Sequence, residues 1–169
     1  MCIVIDTNCI SCVFDEDNDE HHDFEPVYKW LRYGKGKIVY GGSTYAGELQ
    51  KITARRNFLK GFEKADKIVY IDDADVDNKE EEYKAHVNRD FDDPHIVAIV
   101  AVSGVKLVCT KDKRAIPFLK NKQFYKKGKS PKIYTSKKNA DLLCDDNIAE
   151  RCKPAHRLNK TMLDAFLTY

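Results

Sequence analysis

The sequence lacks a long hydrophobic run. In 169 residues the longest unbroken apolar stretch is the seven residues Ile96–Val102, whereas a helix needs about 20 apolar residues to cross a bilayer. The first residues also lack a basic leader followed by a small-residue cleavage site, which is the pattern of a secretory signal. We therefore expect no membrane span and predict a cytoplasmic protein.

The six cysteines do not form the pattern of a disulfide framework. Disulfide-dense domains are short secreted chains that cannot build a sufficient core, and a chain with 43% hydrophobic residues can build one. Cys9 and Cys12 have the spacing of half a zinc site, but no second pair follows them. We therefore expect reduced cysteines, with Cys9 and Cys12 packed in the core.

The net charge of +2 conceals a strong separation of charge along the chain. Residues 111–138 contain eleven Lys or Arg and one acid, residues 72–93 contain ten acids and three bases, and residues 15–25 add seven acids. Such a separation favours a basic surface for a polyanion beside an acidic site. The alternative is that these runs are only solvated surface.

Short apolar stretches alternate with helical patterns along the chain. Strands are predicted at residues 2–5, 37–40, 67–71, 106–109 and 132–135. Ser43 or Thr44 begins a long helix that extends to Phe62, and Asn159–Leu167 is a candidate final helix. Strands separated by helices of this length form crossovers in a parallel sheet. The prediction is an α/β fold with three layers, α/β/α, around a mostly parallel sheet of four to five strands.

Four carboxylates from distant parts of the chain are expected at one edge of this sheet. Ligands of open parallel sheets bind beyond the carboxyl ends of the strands. Asp6 follows the first strand, Asp112 follows the fourth through Thr110, Asp93 precedes an apolar helix, and Glu48 lies early in the helix after the second strand. Unpaired acids at such close range repel one another, so the cluster predicts one or two bound Mg²⁺ or Mn²⁺ ions.

Each acid has a simpler interpretation when it is taken alone. Asp93 stands in the position of a helix N-cap before Pro94, a role worth about 1 kcal/mol, and Glu48 could be a solvated helix residue. His95, in the same apolar helix, is close enough in the chain to reach the acidic edge, but its default interpretation is a core or rim histidine with its hydrogen bonds satisfied. The joint placement of the acids is what favours a functional site.

At these positions the sequence resembles the PIN-domain nucleases. The matching segments are IVIDTN at 3–8, STYAGEL at 43–49, DDPHIVA at 92–98 and LVCTKD at 107–112. The resemblance implies a PIN-like domain over residues 1–144, which leaves 145–169 as a C-terminal extension that we expect to be helical. It implies that the catalytic and metal-binding acids are Asp6, Glu48, Asp93 and Asp112, supported by Asn8 and Thr110. Asp90 and Asp92 are alternatives for the third acid.

The same resemblance implies a metal-dependent endoribonuclease of the toxin or RNA-control type. Members of this family typically cut RNA, and many small members are toxins neutralised by an antitoxin partner; the resemblance also implies a homodimer. Two alternatives stay open, namely a DNA nuclease with the same acidic site and a non-catalytic module that binds nucleic acid or assembles with other proteins.

The basic stretch after Asp112 is a candidate nucleic-acid surface. Its lysines alternate with Phe118, Phe124 and Tyr125, a combination that suits a phosphate track with base stacking. A second basic strip lies on the helix that carries Glu48. The candidate nucleic-acid contacts are Arg55, Arg56, Lys113, Arg114, Lys126 and Lys127, and the alternative is a role in solubility.

Overall fold

Five short strands form one parallel sheet in the computed structural model, which describes residues 2–52, 55–86, 91, 93–159 and 162, without the side chains of 55–58 and 86. The strands are β1 (Cys2–Ile5), β2 (Lys37–Gly41), β3 (Ile68–Ile71), β4 (Leu107–Cys109) and β5 (Lys132–Tyr134). Their order is β3-β2-β1-β4-β5, and every neighbouring pair is parallel. The predicted α/β class and parallel sheet are confirmed.

Helices flank the sheet and give the expected three-layer α/β/α arrangement. They are α1 (Ile10–Phe14), α2 (His21–Tyr33), α3 (Ser43–Lys51), α4 (Arg55–Lys64), α5 (Asp73–His86), α6 (Pro94–Ser103) and α7 (Ala115–Leu119). Helix α1 packs on α2, whereas α5 packs on α6, which in turn lies against β1, β2 and β3. Every residue of β1 and β4 is buried, as is typical of parallel strands covered on both faces.

The strand order creates a crevice between β1 and β4. From β1 the chain builds the sheet toward β2 and β3, and after β3 it returns to the other side of β1 to add β4 and β5. The connections that leave β1 and β4 therefore diverge at the carboxyl edge. Open α/β sheets bind their ligands at such a reversal of strand order.

Helix α6 is the central buried helix of the fold. Pro94 occupies its first turn, where the missing N–H costs no hydrogen bond, and Gly104 ends it in the left-handed conformation with φ 69°. Seven consecutive residues, 94–100, are buried. A helix that is apolar on nearly all sides is thus buried on nearly all sides.

The prediction of one long helix between β2 and β3 is wrong. Helix α3 ends at Lys51, Ile52 is extended with ψ 108°, and α4 begins at Arg55. The two halves pack against different partners: α3 contacts α5 and α6, whereas Phe62 of α4 packs edge-on against Phe14 of α1 at 5.6 Å between ring centroids. The two halves thus lie in different packing environments.

The expectation of fully reduced cysteines is also wrong. Cys2 and Cys152 form a disulfide between residues separated by 150 positions in the sequence, while Cys9, Cys12, Cys109 and Cys144 are free thiols. Cys9 and Cys12 are buried, as predicted. Cys2 begins β1 at the amino edge of the sheet, where the C-terminal segment passes, and no spacing along the chain reveals that meeting.

The C-terminal segment contacts the amino edge of the sheet at several described residues, including Asp145, Cys152 and His156. It contains two short 3-10 turns, Asp145–Asn147 and Glu150–Cys152, and the buried Lys67 donates hydrogen bonds to the carbonyl oxygens of Gly34 and His156. Most of the candidate helix 159–167 lies outside the described residues. The domain boundary at 144 stays a prediction. Within the described ranges, no helix has the length and apolar content that crossing a bilayer requires.

Candidate metal centre at the carboxyl edge of the sheet

Asp6 and Thr110 join the ends of β1 and β4. The Asp6 N–H donates to the carbonyl oxygen of Cys109 at 2.9 Å, and its carboxylate accepts from the Thr110 hydroxyl at 2.6 Å and from the Asn8 backbone N–H at 3.0 Å. Asp6 is only 3% exposed. Because two donors hold it, its carboxylate has a defined orientation at the crevice. Asn8 supports Asp6 through its backbone, and its side chain is exposed.

Asp112 belongs to the same turn. Its N–H donates to the Thr110 hydroxyl oxygen at 3.0 Å, so one buried threonine connects two of the predicted acids. The Arg114 N–H donates to the Asp112 carboxylate at 2.7 Å. This backbone hydrogen bond, together with the Arg114 guanidinium, holds the pKa of Asp112 below its usual value.

Glu48 reaches the site from the middle of α3. Its Oε2 accepts from the Thr7 hydroxyl at 2.6 Å and lies 3.4 Å from His95 Nε2. Thr7 belongs to the 3-10 turn Thr7–Cys9 after β1, so this contact joins α3 to the end of the central strand. About a third of the Glu48 side chain (32%) is exposed, which leaves it accessible to a ligand.

Asp93 shows that the four acids share one electrostatic environment. Its pKa is raised from 3.8 to about 6, chiefly by burial and then by the negative charges of Asp6, Glu48 and Asp112, while His95 acts in the opposite direction. Its side chain makes no hydrogen bond that caps α6. The simple N-cap interpretation therefore does not explain this residue.

His95 is the site residue that sequence reasoning undervalued. It is 2% exposed, and among the described residues its Nε2 has no hydrogen-bond partner. The interpretation as a structural histidine with its hydrogen bonds satisfied is therefore wrong for this nitrogen. Its position, two residues after Asp93 in the first turn of α6, was the available signal, because the first turn stays at the carboxyl edge of the sheet.

Three of these side chains could hold a metal ion. Glu48, Asp93 and His95 each offer one ligand atom, and these atoms lie within 4.8 Å of one another. The set consists of two carboxylate oxygens and one imidazole nitrogen. The alternatives Asp90 and Asp92 lie outside the described residues.

Lys111 lies between Thr110 and Asp112 in the chain but does not neutralise the acidic cluster. Its amino group pairs with Glu20, which belongs to the acidic segment 15–25, and lies 3.4 Å from the Cys12 sulfur. The hydrogen bond from Lys111 lowers the pKa of Glu20, and the same bond raises the pKa of Lys111. The acidic segment is thereby attached beside the carboxyl end of β4.

The predicted nucleic-acid contacts do not all lie beside the acids. Arg114 contacts Asp112, and Lys113 is exposed next to it. Lys126 instead lines a cavity at the C-terminal end of α6. Asp93 precedes the first residue of this ten-residue helix, and at 1.5 Å per residue the two ends are about 15 Å apart.

The remaining candidate nucleic-acid contacts are Lys127, Arg55 and Arg56. Lys127 lines a second cavity that shares Tyr125 and Lys126 with the first. The side chains of Arg55 and Arg56 lie outside the described part of the structure. The basic stretch thus leads from the carboxyl edge to the far end of α6.

The aromatic side chains of the basic stretch are used for packing. Phe91 stacks on Phe118 at 4.4 Å and on Phe124 at 5.6 Å between ring centroids. Tyr125 is 9% exposed. Phe118 and Phe124 are half-buried and pack against the core, so the rings contribute to packing, and their stacking on nucleic-acid bases stays a prediction.

No family model, no curated protein and no solved structure matches this chain.

Proposed function

We propose that the protein is a divalent-metal-dependent nuclease that hydrolyses phosphodiester bonds in RNA. The observation that carries the proposal is the shared environment of Asp6, Glu48, Asp93 and Asp112, in which burial, and then the charges of the other three acids, raise the pKa of Asp93. Thr110 joins Asp6 and Asp112 at the ends of β1 and β4, and the ligand atoms of Glu48 and Asp93 lie within 4.8 Å of each other. Carboxylate clusters of this kind bind the cations used for phosphoryl chemistry.

The chemistry of the donor set supports Mg²⁺ or Mn²⁺, as one or two ions. Both are hard cations that take carboxylate oxygens; Arg114 pairs with Asp112, and Lys111, which is adjacent to Asp112 in the chain, pairs with Glu20 instead. Bound divalent ions supply a nucleophilic water at neutral pH and stabilise the leaving oxygen. In this proposal Asp6, Asp93 and Asp112 hold the ions, and Glu48 binds an ion or positions the water.

The protein's own contribution is orientation before the substrate arrives. Thr110 and the Asn8 N–H fix the Asp6 carboxylate, and Thr7 fixes Glu48. Groups held in this way need no reorganisation during the reaction, which is how preorganised sites lower a barrier. Lys113, exposed beside Asp112, is the cation that we assign to the phosphates flanking the scissile bond.

The choice of RNA, and of a role, follows the resemblance to the PIN-domain nucleases. On that basis we propose an endoribonuclease of the toxin or RNA-control type in the cytoplasm. A protein partner would act as antitoxin, and a homodimer is part of the same proposal. The cationic residues 111–138 complement a polyanion.

The test is cleavage of labelled single-stranded RNA, tRNA, single-stranded DNA and duplex DNA, each with Mn²⁺, Mg²⁺ or EDTA. Asp6→Asn is compared with wild type and with Asp17→Asn, a control at an exposed acid of the loop before α2. We expect metal-dependent RNA cleavage in the wild type and the control, and none in Asp6→Asn with the fold retained. Full activity in Asp6→Asn, or no cleavage of any substrate by the folded wild type, would refute the proposal, and cleavage of DNA alone would refute its RNA part.

A further inference from the structure

His95 presents a buried nitrogen that the described part of the chain does not satisfy. A buried polar atom without a hydrogen bond costs about 1–3 kcal/mol, and native structures keep few such atoms. His95 Nε2 is one, on a side chain that is 3% exposed. Because His95 Nε2 is oriented toward the acids and has no partner among the described residues, we expect a bound ligand to be its partner.

Glu48 does not supply that partner. Its Oε2 lies 3.4 Å from His95 Nε2, yet the contact lacks hydrogen-bond geometry. The same oxygen already accepts the Thr7 hydroxyl at 2.6 Å. Glu48 is thus held toward Thr7, and the histidine nitrogen and the carboxylate oxygen stand side by side.

The distances among the ligand atoms of Glu48, Asp93 and His95 fit atoms that coordinate one metal ion. Ligand atoms about 2.1 Å from one cation lie about 3–4 Å from one another. The ligand atoms of Glu48, Asp93 and His95 all lie within 4.8 Å of one another. Two oxygens and one nitrogen would thus coordinate the ion in a half-buried position.

We propose that His95 Nε2 is a direct metal ligand and that it makes this centre select a first-row transition ion such as Mn²⁺ over Mg²⁺. Imidazole nitrogen suits transition metals, whereas Mg²⁺ prefers an all-oxygen shell and keeps its waters. A centre built only from the four acids would lack this preference. The inference rests on the metal site of the proposed nuclease, but it concerns binding and selectivity rather than cleavage.

The first test needs no variant of His95. Pulsed EPR of the untagged protein loaded with Mn²⁺ reports whether a ¹⁴N nucleus is bonded to the ion. We expect imidazole ¹⁴N coupling in the wild type and in His22→Gln, a control at a histidine with 63% of its side chain exposed. Absence of ¹⁴N coupling in the Mn²⁺-loaded wild type would overturn the inference.

The second test separates ligation from a structural role. Apo protein is titrated calorimetrically with Mn²⁺ and with Mg²⁺, using wild type, His95→Gln and His22→Gln. Loss of the nitrogen should weaken Mn²⁺ binding by about tenfold or more, the scale seen when groups that support a metal are removed, and leave Mg²⁺ binding within about twofold. Equal weakening of both ions would assign His95 a structural role and overturn the inference.

The outcomes for cleavage and for binding are independent. Nitrogen coupling and Mn²⁺ selectivity without cleavage of any substrate would keep this inference and remove the proposed function. RNA cleavage supported equally by Mn²⁺ and Mg²⁺, without nitrogen coupling, would keep the proposed function and overturn this inference. If His95→Gln does not fold, the EPR result on the wild type decides.

Discussion

Replacing Asp93 by asparagine should stabilise the metal-free protein at neutral pH. The Asp93 carboxyl is partly buried beside Asp6, Glu48 and Asp112, and its pKa is raised from 3.8 to about 6. The folded chain therefore resists ionisation of this group more than the unfolded chain does. Asparagine keeps the size of the side chain and removes the charge, so the repulsion disappears while the packing at the start of α6 is preserved.

The magnitude and the sign follow from the two pKa values. A difference of about 2 in pKa corresponds to about 3 kcal/mol, and because solvent screens the partly exposed side chain we expect about 1–2 kcal/mol in the free energy of unfolding. A raised carboxyl pKa means that the folded state binds the proton more tightly. The destabilisation is therefore absent below pH 3.8, grows as the pH rises toward 6, and is complete above pH 6.

The assay is urea unfolding of wild type and Asp93→Asn in EDTA at pH 7.5 and at pH 4.5. The advantage of the variant should be largest at pH 7.5 and fall to about a third at pH 4.5. With Mn²⁺ at about 100 times its Kd, the wild type should gain about 2.7 kcal/mol, and the variant should gain much less. With Mn²⁺ bound, the wild type should therefore be more stable than Asp93→Asn.

Asp17→Asn is the matched control, because it removes one negative charge at an exposed position. It should change stability by less than about 0.5 kcal/mol at either pH. If Asp93→Asn is less stable than wild type in EDTA at pH 7.5, the reasoning about repulsion among the acids is wrong. An equal gain at both pH values would show that the effect does not come from ionisation.

Three further predictions concern other parts of the structure. Thr110→Val removes the hydroxyl that orients Asp6; it should cost about 1–3 kcal/mol in urea unfolding and abolish metal-dependent cleavage, and unchanged cleavage would contradict the orienting role. Reversing the charges of Lys126 and Lys127 should weaken binding of single-stranded RNA, as measured by fluorescence anisotropy. The slope of log affinity against log salt concentration should fall by the amount expected for about two phosphate contacts. Unchanged affinity at low salt would show that these residues are not part of the RNA surface. Cys152→Ser opens the disulfide that closes a 150-residue separation and should lower the free energy of unfolding by about 2–4 kcal/mol; wild type treated with a reductant should match the variant, and no difference between oxidised and reduced wild type would show that the bond adds no stability.

The elements of the fold could be predicted because their signals are local. Each strand is a short apolar run between polar turns, and Pro94 and Gly104 mark the two ends of α6. The break between α3 and α4 could not be predicted in the same way. Both halves have a helical pattern, and the break follows from contacts with different helices, such as that of Phe62 with Phe14.

The acids of the candidate site have a clear signal in the sequence, and its histidine has a weaker one. Asp6 and Asp112 follow strands, so their place in the chain implies their place at the carboxyl edge of a parallel sheet. The direction in which His95 points, and the absence of a hydrogen bond at its Nε2 among the described residues, depend on how α6 is rotated against the sheet. Periodicity does not specify that rotation for a helix that is apolar on all sides.

The parallel α/β class follows from local signals, because hydrophobic period is a property of neighbouring residues, whereas the convergence of four carboxylates on one site stays a prediction. The folded structure brings distant groups together: Cys2 is bonded to Cys152, Lys111 pairs with Glu20, and Lys126 lines a cavity with the far end of α6. The physical reason is that such contacts depend on how packed elements are rotated and where their connections return. Each is a property of the whole core rather than of any segment.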